Sequence, residues 1–137
     1  GPAPKRRRAL LAEDDGVNAL LVRTRLEYSG WRVTAVGDGE AAVEAFNEAC
    51  GDDPFELAVL DLEMPKLSGF DTAAAIRRIE AAFGAQHHIP VVVVTAAELP
   101  PLQEQAHGYG VDAVLSKPFD PDALKAVLSS DALKRAG

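Results

Sequence analysis

Two kinds of apolar pattern alternate along this chain. Short unbroken runs follow Arg8 (RALLA) and fill residues 57–60 (LAVL) and 90–94 (PVVVV), whereas the stretches between them place apolar side chains three and four residues apart. Unbroken runs of this length fit strands buried on both faces, and such strands belong to parallel sheets covered by helices on either side. Residues 31–36, rich in β-branched and aromatic side chains, and the short segment 113–116 complete five predicted strands.

The intervening segments read as helices. Residues 17–29 carry Val17, Leu20, Leu21, Thr24 and Tyr28 as an apolar stripe, with Asp15 or Gly16 at its start and Gly30 as a C-cap. Asp38 caps a second helix over 40–50, whose small face is Ala41, Ala42, Ala45, Phe46 and Ala49 and which Gly51-Asp52-Asp53-Pro54 stops. A third covers 70–83 with Ala73, Ile76, Ile79 and Phe83 on one side, ending at Gly84, and a short fourth opens at Pro100-Pro101 and runs to about Gly108. Asp120-Pro121-Asp122 combines a cap, a first-turn proline and an acid near the positive end of the helix dipole, and Leu124, Val127, Leu128 and Leu133 supply the stripe of the fifth. Alternating strands and helices predict an α/β fold, a doubly wound five-stranded parallel sheet with right-handed crossovers.

At 137 residues the chain suits one domain. Residues 8–135 are expected to form it, with 1–7 as a linker or a remnant of expression. The apolar share of 47% against 26% charged fits a soluble globular protein, and no apolar run is long enough to span a bilayer. Neither a membrane contact nor a secretory signal is therefore expected. Cys50 is the sole cysteine, so no disulfide forms within the chain, compatible with a reducing cytoplasm.

Net charge is -7, and Lys5, Arg6, Arg7 and Arg8 supply four of the fourteen positive charges; the remainder carries ten against twenty-one, a net of -11. Such a body repels nucleic acid, so direct binding is not expected, and the basic run reads as the solvated end of a linker.

In a sheet of this kind every strand ends at one rim, where open α/β folds place their ligands. Glu13 and Asp14 follow the first strand, Asp61 the third, Thr95 the fourth and Lys117 the fifth. Crowded carboxylates raise one another's proton affinity and ask for a cation, and a hard oxygen site that keeps water favours Mg²⁺. Lys117 and Thr95 are a point charge and a hydrogen-bond donor suited to phosphoryl oxygens, which leaves Asp61 as the nucleophile of an aspartyl phosphate.

The acidic group in LLAEDDGVN, Asp61 in LDLEMPKLSG, Thr95 in VVVVTA and Lys117 in LSKPFDP resemble, in order and over nearly the whole chain, the motifs of bacterial response-regulator receiver domains. The wording AEDDGVN and SKPFDP is most similar to receivers attached to hybrid sensor histidine kinases. The resemblance implies a flavodoxin-like (βα)5 fold with strand order 2-1-3-4-5. It implies Asp61 as phosphoacceptor and Mg²⁺ held by Asp14, Asp61, Glu13 through water, and the backbone carbonyl of Glu63. Thr95 and Lys117 would bind the phosphoryl group, and Lys117-Pro118 would be a cis peptide, an isomer proline permits at modest cost.

The phosphoryl group would come from a histidine kinase or a histidine phosphotransfer protein, and the receiver's own site would catalyse its transfer as one switch in a phosphorelay. A transient dimer is compatible with that role. Family members turn an aromatic side chain inward three residues before the lysine; this position is Val114, so output is expected to rely on the Thr95 loop and the helix near Pro100, or the receiver passes the phosphoryl group onward. Glu63 and Ala97 occupy positions resembling those that tune phosphoryl lifetime.

Three other readings compete. A freestanding single-domain regulator would share the whole site, and a pseudo-receiver would bind partners without phosphorylation, which the intact acidic group, Asp61, Thr95 and Lys117 argue against. A phosphatase of the haloacid dehalogenase type would need Asp-x-Asp on the first strand, whereas Asp61-Leu62-Glu63 follows the third. His87-His88 and His107 read as loop residues, Gly108 and Gly110 as turn glycines. Glycine-rich nucleotide patterns are absent, so this sequence carries no ATP site.

Overall fold

Val91, Val92 and Val93 have no exposed surface and Val94 has 4%, so the fourth strand is walled on both faces. The structure, a computed structural model, describes residues 6–84 and 88–136, with side chains to residue 130. Its elements run β1 (Arg8–Ala12), α1 (Gly16–Tyr28), β2 (Arg32–Val36), α2 (Gly39–Ala49), β3 (Phe55–Asp61), α3 (Gly69–Ala82), β4 (Val91–Thr95), α4 (Leu99–Ala106), a 3-10 turn His107–Tyr109, β5 (Ala113–Ser116) and α5 (Pro121–Ala136). All strand pairs are parallel and the order is β2-β1-β3-β4-β5, the arrangement that the sequence and its resemblance implied. His87 and Lys5 lie outside the described residues, as does the side chain of Leu133.

Alternation along the strands divides the apolar residues between two cores. Leu10, Leu60, Val91 and Val93 point to one side, where Phe46, Phe70 and Ile76 of α2 and α3 meet them; Leu11, Val59, Val92 and Val94 point to the other, against Val22 and Leu26 of α1, Phe119, and Leu124 of α5. Asp15, Asp38 and Ser68 cap α1, α2 and α3 with side-chain oxygens that accept backbone N–H groups of the first turn, which fixes where each helix begins.

The stripe expected on α1 is not the buried one. Val17, Leu20, Leu21 and Tyr28 are exposed, and the helix packs through Val22 and Leu26 instead. The sequence offers apolar residues on both sides of this helix, and the sheet accepts the narrower side, the i, i+4 pair. Phe83, expected inside, is also exposed at the end of α3, while Ala73 and Ile76 are buried as expected.

Arg77 ties α3 to the amino-terminal ends of two strands. Its guanidinium pairs with Glu80 at 2.8 Å and Asp112 at 3.0 Å and donates to the carbonyls of Gly110 and Ile89. Asp112 in turn accepts the backbone N–H of Val91. Such a network meets the needs of Glu80, which is 3% exposed and would be costly to bury alone.

In the basic run Arg6 and Arg7 are exposed, as expected of a solvated segment, yet both of them and Arg8, the first residue of β1, touch the body of the domain. Arg7 lies over the Trp31 ring at 4.5 Å and Arg8 over Phe55 at 4.2 Å, while the Arg6 carbonyl accepts from Arg32. Among the described residues, no helix is long and apolar enough to cross a membrane.

Candidate functional site

At the carboxyl end of β1 the chain turns as the Glu13 N–H donates to the Val36 carbonyl. This turn sends the Glu13 side chain inward, where one carboxylate oxygen accepts the Asp15 N–H and the other accepts from the Asn18 amide. Asp61 closes β3 with 5% of its surface exposed, and the Leu62 N–H returns to the Val94 carbonyl, so the carboxylate stays over the sheet. The loop after it folds back through Gly69, whose N–H donates to the Leu62 carbonyl. A Cβ on Gly69 would lie 2.6 Å from the Asp61 carbonyl oxygen, so the close approach demands glycine there.

β5 delivers Lys117. Its N–H donates to the Thr95 carbonyl, its peptide bond to Pro118 is cis, and its Nζ lies 3.1 Å from Asp61 and 3.2 Å from Glu13. Thr95, fully buried at the end of β4, donates its hydroxyl to Glu63 at 3.1 Å while that same oxygen accepts the Ala97 N–H at 3.0 Å.

Glu13, Asp14 and Asp61 bring carboxylate oxygens within 4.8 Å of one another. Asp14 is exposed at the lip and the other two are buried, so the set opens to solvent on one side. Hard oxygen donors with an open side suit a small divalent cation that keeps part of its water. Beneath them Leu11, Val59, Val94 and Phe119 line a cavity of only about 10 Å³. Glu13, Asn18, Asp61 and Lys117 complete its lining, so the space beneath the carboxylates has room for no more than one water.

Burial, followed by the adjoining Glu13 carboxylate, pushes the Asp61 carboxyl up to about 6, and Lys117 moderates the rise. Burial would raise Glu13 as well, but hydrogen bonds with Asp61, Asn18 and the Asp15 N–H, together with the Lys117 charge, outweigh it and hold Glu13 below its ordinary value. Burial would lower Lys117, yet Asp61 and Glu13 beside it raise its proton affinity. Lys117 thus stands as a firm cation between two carboxylates, of which Asp61 takes up a proton first.

The model of the response regulator receiver domain family matches residues 9–129. The chain belongs to that family. Among similar proteins, the receiver is 34% identical over 128 residues to hybrid signal transduction histidine kinase I of Dictyostelium discoideum, covering 93% of the chain and 7% of that protein. It is 34% identical over 131 residues to the virulence sensor protein BvgS of Bordetella pertussis, covering 94% and 10%. The chain thus spans a small fraction of the curated relatives it matches. A solved receiver domain of a Pseudomonas aeruginosa sensor histidine kinase, with magnesium coordinated in its active-site cleft, superposes with TM-score 0.75 at 28% identity, covering 93% of this chain and 98% of that one. A Clostridium thermocellum receiver domain protein superposes at 0.79 with 22% identity, covering 95% and 97%, a likeness of fold.

Every site residue anticipated in the sequence lies at this rim, and Glu13, Asp14, Asp61 and Lys117 converge directly. Two contacts were not anticipated. Asn18 holds Glu13 from the first turn of α1, and the Glu63 side chain faces Thr95. The five-residue offset from Glu13 to Asn18 spans a strand end and a helix start, where no regular periodicity predicts which side chains meet.

Proposed function

We propose that this receiver accepts a phosphoryl group from a phosphohistidine onto Asp61, in a Mg²⁺-dependent reaction, as a switch in the phosphorelay of a hybrid histidine kinase. The observation that carries the reading is the convergence of a buried Asp61 with Lys117 at 3.1 Å beside two further carboxylates. An Asp61 oxygen attacks phosphorus, a P–O bond forms, and the P–N bond to the donor imidazole breaks with its electron pair left on that nitrogen. Asp61 is mostly ionised at neutral pH even with its raised proton affinity. Lys117, already within reach, swings from the carboxylates to a phosphoryl oxygen and offsets the incoming charge.

Glu13, Asp14 and Asp61, with the Glu63 carbonyl, would hold Mg²⁺, which when bound neutralises charge on the carboxylates and the phosphoryl oxygens. Asn18 and the Asp15 N–H keep Glu13 oriented towards that position. Residues 8–135 act as the receiver unit and residues 1–7 as its link. The donor is a histidine kinase or a histidine phosphotransfer protein, charged from ATP in the cytoplasm. The exposed apolar face of α1, with Val17, Leu20 and Leu21 on the helix that starts beside Glu13, favours a protein donor over a small molecule.

Intact mass after incubation with Mg²⁺ and acetyl phosphate tests the reading. A single phosphoryl adduct that requires Mg²⁺ and is absent from Asp61→Ala supports it. No adduct, with a phosphorylated histidine protein as donor as well, overturns it in favour of a binding module that works without phosphorylation.

A further inference from the structure

Thr95 has one hydroxyl proton, and in this structure the proton is committed. The side chain has no exposed surface, its oxygen accepts the Ala97 N–H at 3.0 Å, and its proton points to Glu63 at 3.1 Å. Glu63 lies two residues beyond Asp61 on the loop between β3 and α3, and its side chain is exposed apart from this contact. A hydroxyl can accept more than one hydrogen bond but can donate only one. If Thr95 is to donate to a phosphoryl oxygen on Asp61, the bond to Glu63 must first break.

We infer that Glu63 is the positioning residue of Thr95: its carboxylate holds the Thr95 hydroxyl in the unphosphorylated receiver and yields it when a phosphoryl oxygen competes for the same proton. The inference rests on the reading of Asp61 as phosphoacceptor. The exchange needs no moving ring. At the position where family members turn an aromatic inward stands Val114, 4% exposed and packed with Ala106 and Val111, which has no bulk to swing. What changes is the loop after β3, which keeps the Leu62 N–H on the Val94 carbonyl but loses its side-chain contact with β4 and gains an unpaired carboxylate in solvent. Holding Thr95 also taxes the phosphorylated state, because a bond to a charged acceptor is given up to form it.

A cycle of four proteins isolates the contact: wild type, Glu63→Ala, Thr95→Ala and the double variant, each titrated by calorimetry with fluoroberyllate, a phosphoryl mimic, in the presence of Mg²⁺. Replacing the Glu63 side chain leaves its backbone carbonyl in place. Glu63→Ala is expected to tighten fluoroberyllate binding about tenfold when Thr95 is present, equivalent to ~1.4 kcal/mol, and to change it little when Thr95 is alanine. Equal tightening in both backgrounds overturns the inference, because Glu63 would then act through its charge alone.

A second readout needs neither Mg²⁺ nor the mimic. In the free protein, Glu63→Ala is expected to shift the Ala97 amide resonance and to average the Thr95 χ1 couplings, with Glu63→Gln, which keeps an acceptor, between the two. Unchanged couplings overturn the inference whatever fluoroberyllate does. A wild type that binds no fluoroberyllate and forms no phosphoryl adduct instead overturns the phosphoacceptor reading, while the couplings still report whether Glu63 holds Thr95.

Discussion

Lys117 Nζ lies 3.1 Å from the Asp61 carboxylate, closer than to Glu13 at 3.2 Å, so one cation serves two buried acids. Replacing it with alanine leaves those acids facing each other. Lys117→Ala is expected to slow labelling by acetyl phosphate by about 10²-fold or more, the loss typical when one preorganised charge is removed from a transition state. Mass spectrometry against time checks the rate.

The raised proton affinity of Asp61 makes stability depend on pH in a defined direction. Its carboxyl titrates at about 6 when folded against an ordinary 3.8, so the folded state binds this proton more tightly. The contribution is fully present below the ordinary value and is lost as pH rises through about 6. Glu13, held below its ordinary value in part by its hydrogen bond with Asp61, works in the opposite sense, so Asp61→Asn reports the two carboxylates as a pair. In metal-free buffer Asp61→Asn is expected to be more stable than wild type by ~1–3 kcal/mol at pH 7.5. The gap closes towards pH 4, as urea unfolding at both pH values would measure.

Gly69→Ala should disturb both fold and site. The new methyl group would meet the Asp61 carbonyl at 2.6 Å and the Leu62 Cα at 3.0 Å, backbone atoms that cannot move aside independently of the nucleophile. A loss of ~1–3 kcal/mol, the usual cost of overpacking, is expected together with slower labelling. Gly16→Ala, where an added methyl meets nothing within 4 Å, is the control and should leave stability nearly unchanged.

Leu20→Asp separates donor recognition from chemistry. Leu20 is 65% exposed on α1 and contributes to neither core, so stability and acetyl phosphate labelling should stay close to wild type. Transfer from a phosphorylated histidine protein should fall severalfold or more. Equal loss with both donors would mean that α1 acts on the site itself.

Much of the architecture was legible because it follows from rules that act locally. The valine run before Thr95 and the apolar run before Asp61 mark buried parallel strands, Asp15 and Asp38 mark helix starts, and those features bring Glu13, Asp14, Asp61, Thr95 and Lys117 to one rim. The α1 face was not legible. Val17, Leu20, Leu21 and Tyr28 make the wider apolar stripe, but a helix crossing a sheet buries whichever side its connections turn inward, here Val22 and Leu26. Arg77 was equally silent in the sequence, since its partners Ile89, Gly110 and Asp112 come from two later connections that only the folded sheet brings beside α3.

That same arginine sets the mechanics of the sheet. It fastens α3, the entrance to β4 and the turn before β5 to one another at the end remote from Asp61, while Thr95 and Lys117 stand at the opposite tips of those two strands. The two ends of this strand pair are therefore held by different means: at the root by side-chain ion pairs and bonds from one guanidinium, and at the tip by backbone bonds from Leu62 to Val94 and from Lys117 to Thr95.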